Sequence, residues 1–402
     1  MSHIEQRTST GTGVDPQAIE RQLTEMWRVM TESPGSGPEA AVTRACILNL
    51  ITCCTPSDDR QQLEQLLDEV TELTPCRAFV IVLEPDSSET AMDAYISSRC
   101  HLSARGSKQV CCEQVTIEAK GSAVNAVSSA VAPLLVSDVP VFLWWNRTPA
   151  VEEPVFTRLC NLTDRLIVDS GTFTRPYHGL LRLSSFIDNP TLYRPLSDLN
   201  WGRLTSWRSL VASLWDVAEY RPFLTKIDSV ILGYDAPTGC REISAKALLG
   251  LGWLASRLGW RLIDAQTTQN PPVTRLTYRW PSGTDIRAEV VRSGEPEGRE
   301  GPLTRLVLSC SAAGHPPAEF RVGLKQKGCK LETVSNVGGR LEMDRVLQYE
   351  PRSDGVRLAA ELALLETDRV YEQTVRSAAE IAEALHQAKS PGNRKDLKDF
   401  KD

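Results

Sequence analysis

Long apolar runs are missing from this sequence. No stretch approaches the roughly 18 consecutive apolar residues that a membrane-crossing helix needs, and the opening segment, Met1 to Gly13, is polar and lacks the apolar core of a secretory signal. A long basic run is missing too. Lysines and arginines are scattered, and the net charge is −6, which gives no electrostatic footprint for nucleic acid. The expectation is a cytoplasmic protein with no membrane and no nucleic acid partner. Eleven cysteines, an odd number, in a chain without an export signal point away from a disulfide scaffold and towards mostly reduced thiols.

Catalytic signatures are equally scarce. The chain has no P-loop, no Gly-x-Ser-x-Gly elbow, no His-Glu-x-x-His and no Cys-x-x-Cys, and only five histidines. Its nearest approach to a dinucleotide fingerprint is Gly250-Leu251-Gly252-Trp253-Leu254-Ala255. A real fingerprint opens a helix directly after a strand. Here the glycines fall inside a helical pattern, so they read as a small-residue stripe for close packing. Cys100-His101 and Cys111-Cys112 have zinc-ligand types, but neighbours on a strand point to opposite faces and chelate poorly. No catalytic, cofactor or metal residue is assigned.

What is present is an ordinary globular balance, 41% hydrophobic and 24% charged, in 402 residues, too many for one core. The pattern divides as 1–39 (tail, helix and linker), 40–235 (α/β domain), 236–390 (α+β domain) and 391–402 (charged tail). Asp15-Pro16 starts a helix carrying Ile19, Leu23, Met26, Trp27 and Met30, and Ser33 to Pro38 follows as a linker that makes this helix detachable. Continuous apolar strands alternating with helices over 40–235 predict a largely parallel sheet with helices on both faces, to which a strand Ile227 to Tyr234 returns. Next come a helix over Ala245 to Leu258 with Gly259 as its C-cap, an antiparallel meander, and one long C-terminal helix from about Val356 to Ala388.

Several residues stand out as candidates for contact with another molecule. In Asp198 to Arg208 a helical wheel puts Trp201, Leu204, Val211 and Trp215 on one face, with Arg208 between the tryptophans. Asn200, Trp201, Arg203, Trp207 and Arg208 are therefore candidate partner-binding residues, with Trp144 and Trp145, because tryptophan and arginine dominate binding hot spots. Core packing and internal pairing are the competing reading. Asp169-Ser170, after a buried strand, reads either as an anion-binding loop or as a cap. Cys111 and Cys112 are redox candidates beside the plainer reading of strand cysteines.

These segments, in this order, resemble the OpcA family, the glucose-6-phosphate dehydrogenase assembly proteins. The resemblance is carried by Arg77 to Glu84, Cys100-His101 with Val110 to Val115, Asp138 to Trp145, Ile167 to Ser170, Asp198 to Arg208 and Gly252 to Trp260. It implies a non-catalytic protein without cofactor that binds glucose-6-phosphate dehydrogenase, promotes its active oligomer and raises its response to substrate. For cyanobacterial members it also implies thioredoxin as a partner in redox control. A sugar-phosphate- or nucleotide-binding α/β enzyme or sensor is the alternative from the residues alone.

Overall fold

The computed structural model describes residues 6–7, 14–32, 42–102, 109–236, 240–269, 272–294, 301–311, 314–325, 330–349 and 352–389. The expected linker at 33–38 and the tail at 394–402 lie outside them. Two compact units form, each discontinuous in sequence: Met1–Val168 with Asn189–Leu199 and Arg352–Thr367, and Asp169–Asp188 with Asn200–Pro351 and Asp368–Asp402.

The first unit is built on β1 (Gln6–Arg7), β2 (Val42–Arg44), β3 (Asn49–Cys54), β4 (Arg77–Glu84), β5 (Ala91–Leu102), β6 (Gln109–Lys120), β7 (Val141–Trp145), β8 (Arg165–Val168) and β9 (Leu196–Asp198). They are ordered β1-β5-β6-β4-β3-β7-β8-β9, with β2 also on β6. The run from β6 to β9 is parallel throughout, and β5 forms an antiparallel hairpin with β6. Numbered by chain order, those six parallel strands read 3-2-1-4-5-6, the doubly wound Rossmann arrangement. Strands β3, β7 and β8 are buried at every position, as a sheet covered on both faces requires.

The N-terminal helix, Pro16–Glu32, is not detachable as its flanking linker suggested. Its apolar face, Ile19, Leu23, Met26 and Trp27, is buried. Polar contacts fix the register: Trp27 Nε1 donates to Glu113 Oε1 at 2.5 Å, and Arg77 Nη1 donates to Glu20 Oε1 at 2.6 Å. A helix so strongly amphipathic needs a surface to cover, and this unit supplies one.

The second unit carries β10 (Ile227–Asp235), β11 (Arg261–Gln269), β12 (Pro272–Arg279), β13 (Asp285–Gly294), β14 (Leu303–Cys310), β15 (Ala318–Lys325), β16 (Lys330–Val337) and β17 (Arg340–Gln348). The order is β11-β12-β13-β10-β14-β15-β16-β17. Strand β10 therefore does not return to the first sheet, which is a correction to the sequence reading. It inserts into the second, parallel to β13 and antiparallel to β14, and so makes the expected meander a mixed sheet. Apolar alternation fixes which face of a strand is buried but not which sheet it joins.

The expected single C-terminal helix is two, Asp354–Leu362 in the first unit and Arg369–Lys389 in the second. Asp368 marks the break, its Oδ1 accepting from Tyr371 N at 2.9 Å as an N-cap. The helix Ala245–Leu258 ends as read, with Gly259 in the left-handed region at φ 69°. The small-residue stripe is also as read: a Cβ on Gly252 would lie 2.7 Å from Thr374 O and 2.8 Å from Ala378 N, in the backbone of helix Arg369–Lys389.

Gly252→Ala is therefore expected to destabilise the protein by about 1 to 3 kcal/mol in urea denaturation through overpacking. Gly250→Ala meets the flexible tips of Leu232 at 3.3 Å and Leu303 at 3.7 Å. It should be neutral or stabilising by up to about 1 kcal/mol, since alanine is the better helix former.

Candidate functional site

A doubly wound sheet places ligands at the C-terminal ends of its strands, at the switch between its first and fourth members. Here those strands are β3 and β7, ending at Cys54 and Trp145. In a dinucleotide-binding version a glycine loop follows the first strand and the next helix offers free N–H groups to a pyrophosphate. This chain has Thr55-Pro56-Ser57-Asp58-Asp59 at that place, without glycine. Asp59 caps the helix Arg60–Leu73, its Oδ1 accepting from Gln62 N at 3.0 Å. Asp58 Oδ2 folds back to accept from Thr55 N at 2.6 Å and Thr55 Oγ1 at 2.9 Å. Two carboxylates thus stand where a phosphate would. Beside them lies a cleft of about 220 Å³ edged by Arg60, Glu84, Glu118 and Lys120, in which Arg60 is already paired with Glu118 at 2.9 Å. That is below the usual volume of a ligand pocket, roughly 300 Å³ or more.

The paired tryptophans face inward. Trp145 is fully buried against Phe156, with ring centroids 4.9 Å apart, and Arg147 stacks on it at 4.8 Å. Trp144 is buried in the core with Leu50, Phe142, Ile167 and Leu199. Consecutive residues of a strand buried on both faces both enter core, so neither is presented as a contact residue.

The second unit contains the Asp198 to Arg208 segment from Asn200 onward. It is two short helices, Leu199–Arg203 and Thr205–Leu214, so one helical wheel does not describe it. Asp169 and Arg203 form a two-pronged pair, Nη1 to Oδ1 at 2.6 Å and Nη2 to Oδ2 at 2.8 Å. Asn200 Nδ2 donates to Ser170 Oγ at 3.1 Å. The Trp201 indole donates to Asp368 Oδ2 at 2.8 Å and stacks against Tyr371. Arg208 lies over the Trp201 ring at 3.5 Å. Asn200, Trp201 and Trp207 are buried. Of the seven contact candidates only Arg203 and Arg208 retain partial exposure. Asp169-Ser170 serves as a cap and ion-pair anchor, with Oδ1 also accepting from Gly171 N.

The cysteines divide differently from the expectation. Cys100 and Cys111 face each other across β5 and β6 and are joined in a disulfide, against the reading of reduced thiols at those positions. Cys112 points to the opposite face and is buried, and burial pushes its thiol up to about 11, far from a reactive thiolate. Among the described residues no group of His, Cys, Asp or Glu has the geometry to hold a metal ion.

Sequence reasoning missed Glu113 and Asp368. Glu113 is buried and bound by Arg77 at 2.6 Å, Arg44 at 2.8 Å and Trp27. A carboxylate inside an otherwise buried strand such as β6 was the available signal, since buried charges are paired. Asp368 left only the ambiguous trace of a cap.

Fold and site together define a doubly wound α/β protein whose phosphate position is filled by its own carboxylates, followed by a mixed-sheet unit. Residues 67–185 match the family model described as the glucose-6-phosphate dehydrogenase subunit N-terminal domain, and residues 194–375 match the corresponding C-terminal domain. The chain belongs to this family, the OpcA family. The OxPP cycle protein OpcA of Nostoc punctiforme is 31% identical over 70% of this chain, and its counterpart in Synechococcus elongatus is 29% identical over 83%. The chain spans 57% of the Nostoc protein's length and 73% of the Synechococcus protein's. Among solved structures, an oxidoreductase from Sinorhizobium meliloti aligns over 87% of this chain and 99% of its own at 10% identity and TM-score 0.49. The 3-ketoreductase KijD10 of Actinomadura kijaniata aligns over 86% and 98% at 12% and 0.48. Likenesses so distant carry no argument. No described helix is long and apolar enough to cross a membrane.

Arg203→Ala should cost about 3 kcal/mol in urea denaturation, because it strands the buried Asp169 carboxylate. Arg208→Ala should cost about 1 kcal/mol, the worth of a partly exposed cation–π stack.

Stability should also fall as pH rises above about 8.5, where unfolded thiols ionise. Burial holds Cys54 and Cys112 protonated up to about 11, so between these values the native state binds more protons than the unfolded one. In this window Cys112→Ala should lose about 1.4 kcal/mol less per pH unit than the parent protein.

Proposed function

We propose that this chain is a non-catalytic cytoplasmic partner of glucose-6-phosphate dehydrogenase that promotes its active oligomer and activates it, within oxidative pentose phosphate metabolism. The observation that carries the reading is the match of both halves of the chain to domain models described as a subunit of that dehydrogenase. The names of the cyanobacterial relatives, OxPP cycle proteins, agree with it. The carboxylate-filled helix terminus after β3 supports a regulatory role over a catalytic one, since Asp58 and Asp59 would repel a pyrophosphate. Against the alternative of a sugar-phosphate or nucleotide enzyme stands the Asp169–Arg203 pair, which uses on itself the groups an anion would need.

An activator shifts an equilibrium only if it binds the active state more tightly. By linkage, substrate then tightens the activator's own binding. Arg208, partly exposed over Trp201, is with Arg203 a contact candidate that keeps a reach to solvent. For redox control, the Cys100–Cys111 disulfide is the group a thioredoxin would reduce. Two electrons and two protons pass from the thioredoxin dithiol, which closes to a disulfide as Cys100 and Cys111 become thiols.

Added to its cognate dehydrogenase at subsaturating glucose 6-phosphate, the protein should raise the rate severalfold. Alone it should show neither dehydrogenase activity nor NADP binding by calorimetry. Unchanged dehydrogenase kinetics with both the oxidised and the reduced protein would refute the activator, and unequal activation by the two forms would support redox control.

A further inference from the structure

The eight-stranded sheet ends on β17, which pairs with β16 on one side and with no other strand among the described residues. Gly338-Gly339 joins the two strands, both glycines in the left-handed region at φ 61° and 87°, as a tight two-residue hairpin turn requires. Such a turn closes on a hydrogen-bonded pair, here Val337 and Arg340. Pairs then alternate along the antiparallel ladder, so Leu341 and Met343 aim their N–H and C=O away from β16. Further on, Val334 faces Met343 and Thr333 faces Arg345, which leaves Asp344 as the extra residue of a bulge. The bulge shifts the alternation by one, so Val346 joins Leu341 and Met343 in turning its backbone groups outward. These three side chains share one face of the strand and are 53%, 70% and 66% exposed. A long apolar edge of this kind is a template for another strand.

The edge is complementary to itself. Lay a second β17 antiparallel beside the first, about a two-fold axis perpendicular to the sheet at Met343. Met343 then faces Met343 of the copy, Leu341 faces Val346, and Glu342 faces Arg345. The two-fold makes the apolar and the charged contact each occur twice. The bulge is what permits this register. Glu342 and Arg345 are three residues apart and in an unbulged strand lie on opposite faces, whereas here both share the face of their partners Ser335 and Thr333. The Leu341–Val346 and Met343–Met343 pairs each exchange two backbone hydrogen bonds, made by groups that β16 leaves free. Moving the axis to Glu342 or to Arg345 sets a like charge against its own copy, which is unfavourable. Within one chain Glu342 Oε1 holds Arg340 at 2.7 Å, and Arg345 lies 3.7 Å from Asp216. Exposed pairs of this kind are worth little, so exchanging them costs little.

We infer that β17 is a dimerisation edge, through which two copies of this chain join their eight-stranded sheets into one continuous sheet. Met343 stands on the two-fold axis, flanked by Leu341–Val346 pairs and keyed by Glu342–Arg345 contacts between copies. Any extended segment can supply the backbone bonds of an added strand, but the charges of β17 are answered by β17 itself. Contact through one strand from each copy lies at the low end of specific interfaces, which corresponds to a dissociation constant of about 1 to 10 μM.

The test uses the full chain alone, so its result does not depend on any dehydrogenase. Sedimentation at about 100 μM, at least about tenfold above that dissociation constant, should give the mass of two protomers. Met343→Lys sets two ammonium groups against each other on the axis and should weaken the dimer about tenfold or more. Arg345→Glu puts a carboxylate opposite Glu342 at both charged contacts and should weaken it as much. Adding Glu342→Arg to Arg345→Glu restores opposite signs and should recover the dimer. Ile263→Lys, on the exposed strand β11 at the other end of the sheet, should leave it unchanged. Thermal unfolding checks that each variant is folded, and Met343, the most exposed of the three dimer-contact positions substituted, carries the test if either charge variant is not. A monomer at about 100 μM overturns the inference. So does a dimer indifferent to Met343→Lys, one weakened equally by Ile263→Lys, or a folded double variant that stays monomeric.

Discussion

The helix Arg60–Leu73 begins with one of its free donors already capped by the chain's own carboxylate, and much of what distinguishes this protein follows from that. A helix N-terminus after the first strand of a doubly wound sheet is a ready anion site, because unpaired N–H groups and the helix dipole both favour negative charge. Here Asp59 takes the N–H of Gln62, and Asp58 ties the preceding loop to itself through Thr55. The cap is supplied from within the chain. Its loop also lacks the glycines that would let a pyrophosphate approach the backbone. The scaffold keeps its strand order while its usual ligand position becomes a structural cap.

The same economy recurs at three further buried groups. Asp169 and Arg203 close on each other, Trp201 closes on Asp368, and Glu113 gathers Arg77, Arg44 and Trp27. Removing one partner of such a group is costly because the other is left desolvated. Most of the residues that look like contact hot spots in the sequence are buried. Trp144, Trp145 and Trp207 are large side chains that fill cores, and their aromatic character is used there.

Beside these self-paired groups, the second unit keeps a cleft of about 450 Å³ lined by Tyr220, Ser335 and Glu342, and an exposed sheet face. That face of the second unit alternates polar with apolar residues and ends in the exposed Leu341, Met343 and Val346. An antiparallel or mixed sheet can leave one face to solvent, whereas the parallel sheet of the first unit is buried on both. The two units thus differ in what they can offer a partner.

By itself the sequence determined the classes of element and their local ends. Apolar runs marked β3, β4, β7 and β8, helical spacing marked Pro16–Glu32 and Ala245–Leu258, and Gly259 marked a terminus, because each depends on a few neighbouring residues. The family resemblance was likewise legible, through the order of short segments from Arg77 to Trp260. Only the tertiary structure decided that β10 joins the second sheet, that the last helix is two, that Cys100 bonds Cys111, and that Arg208 stacks on Trp201. The physical reason is common to all four. An alternating strand or a charged side chain states what it needs, a covered face or a counter-charge, but any of several distant residues could supply it, and only the packed chain selects one.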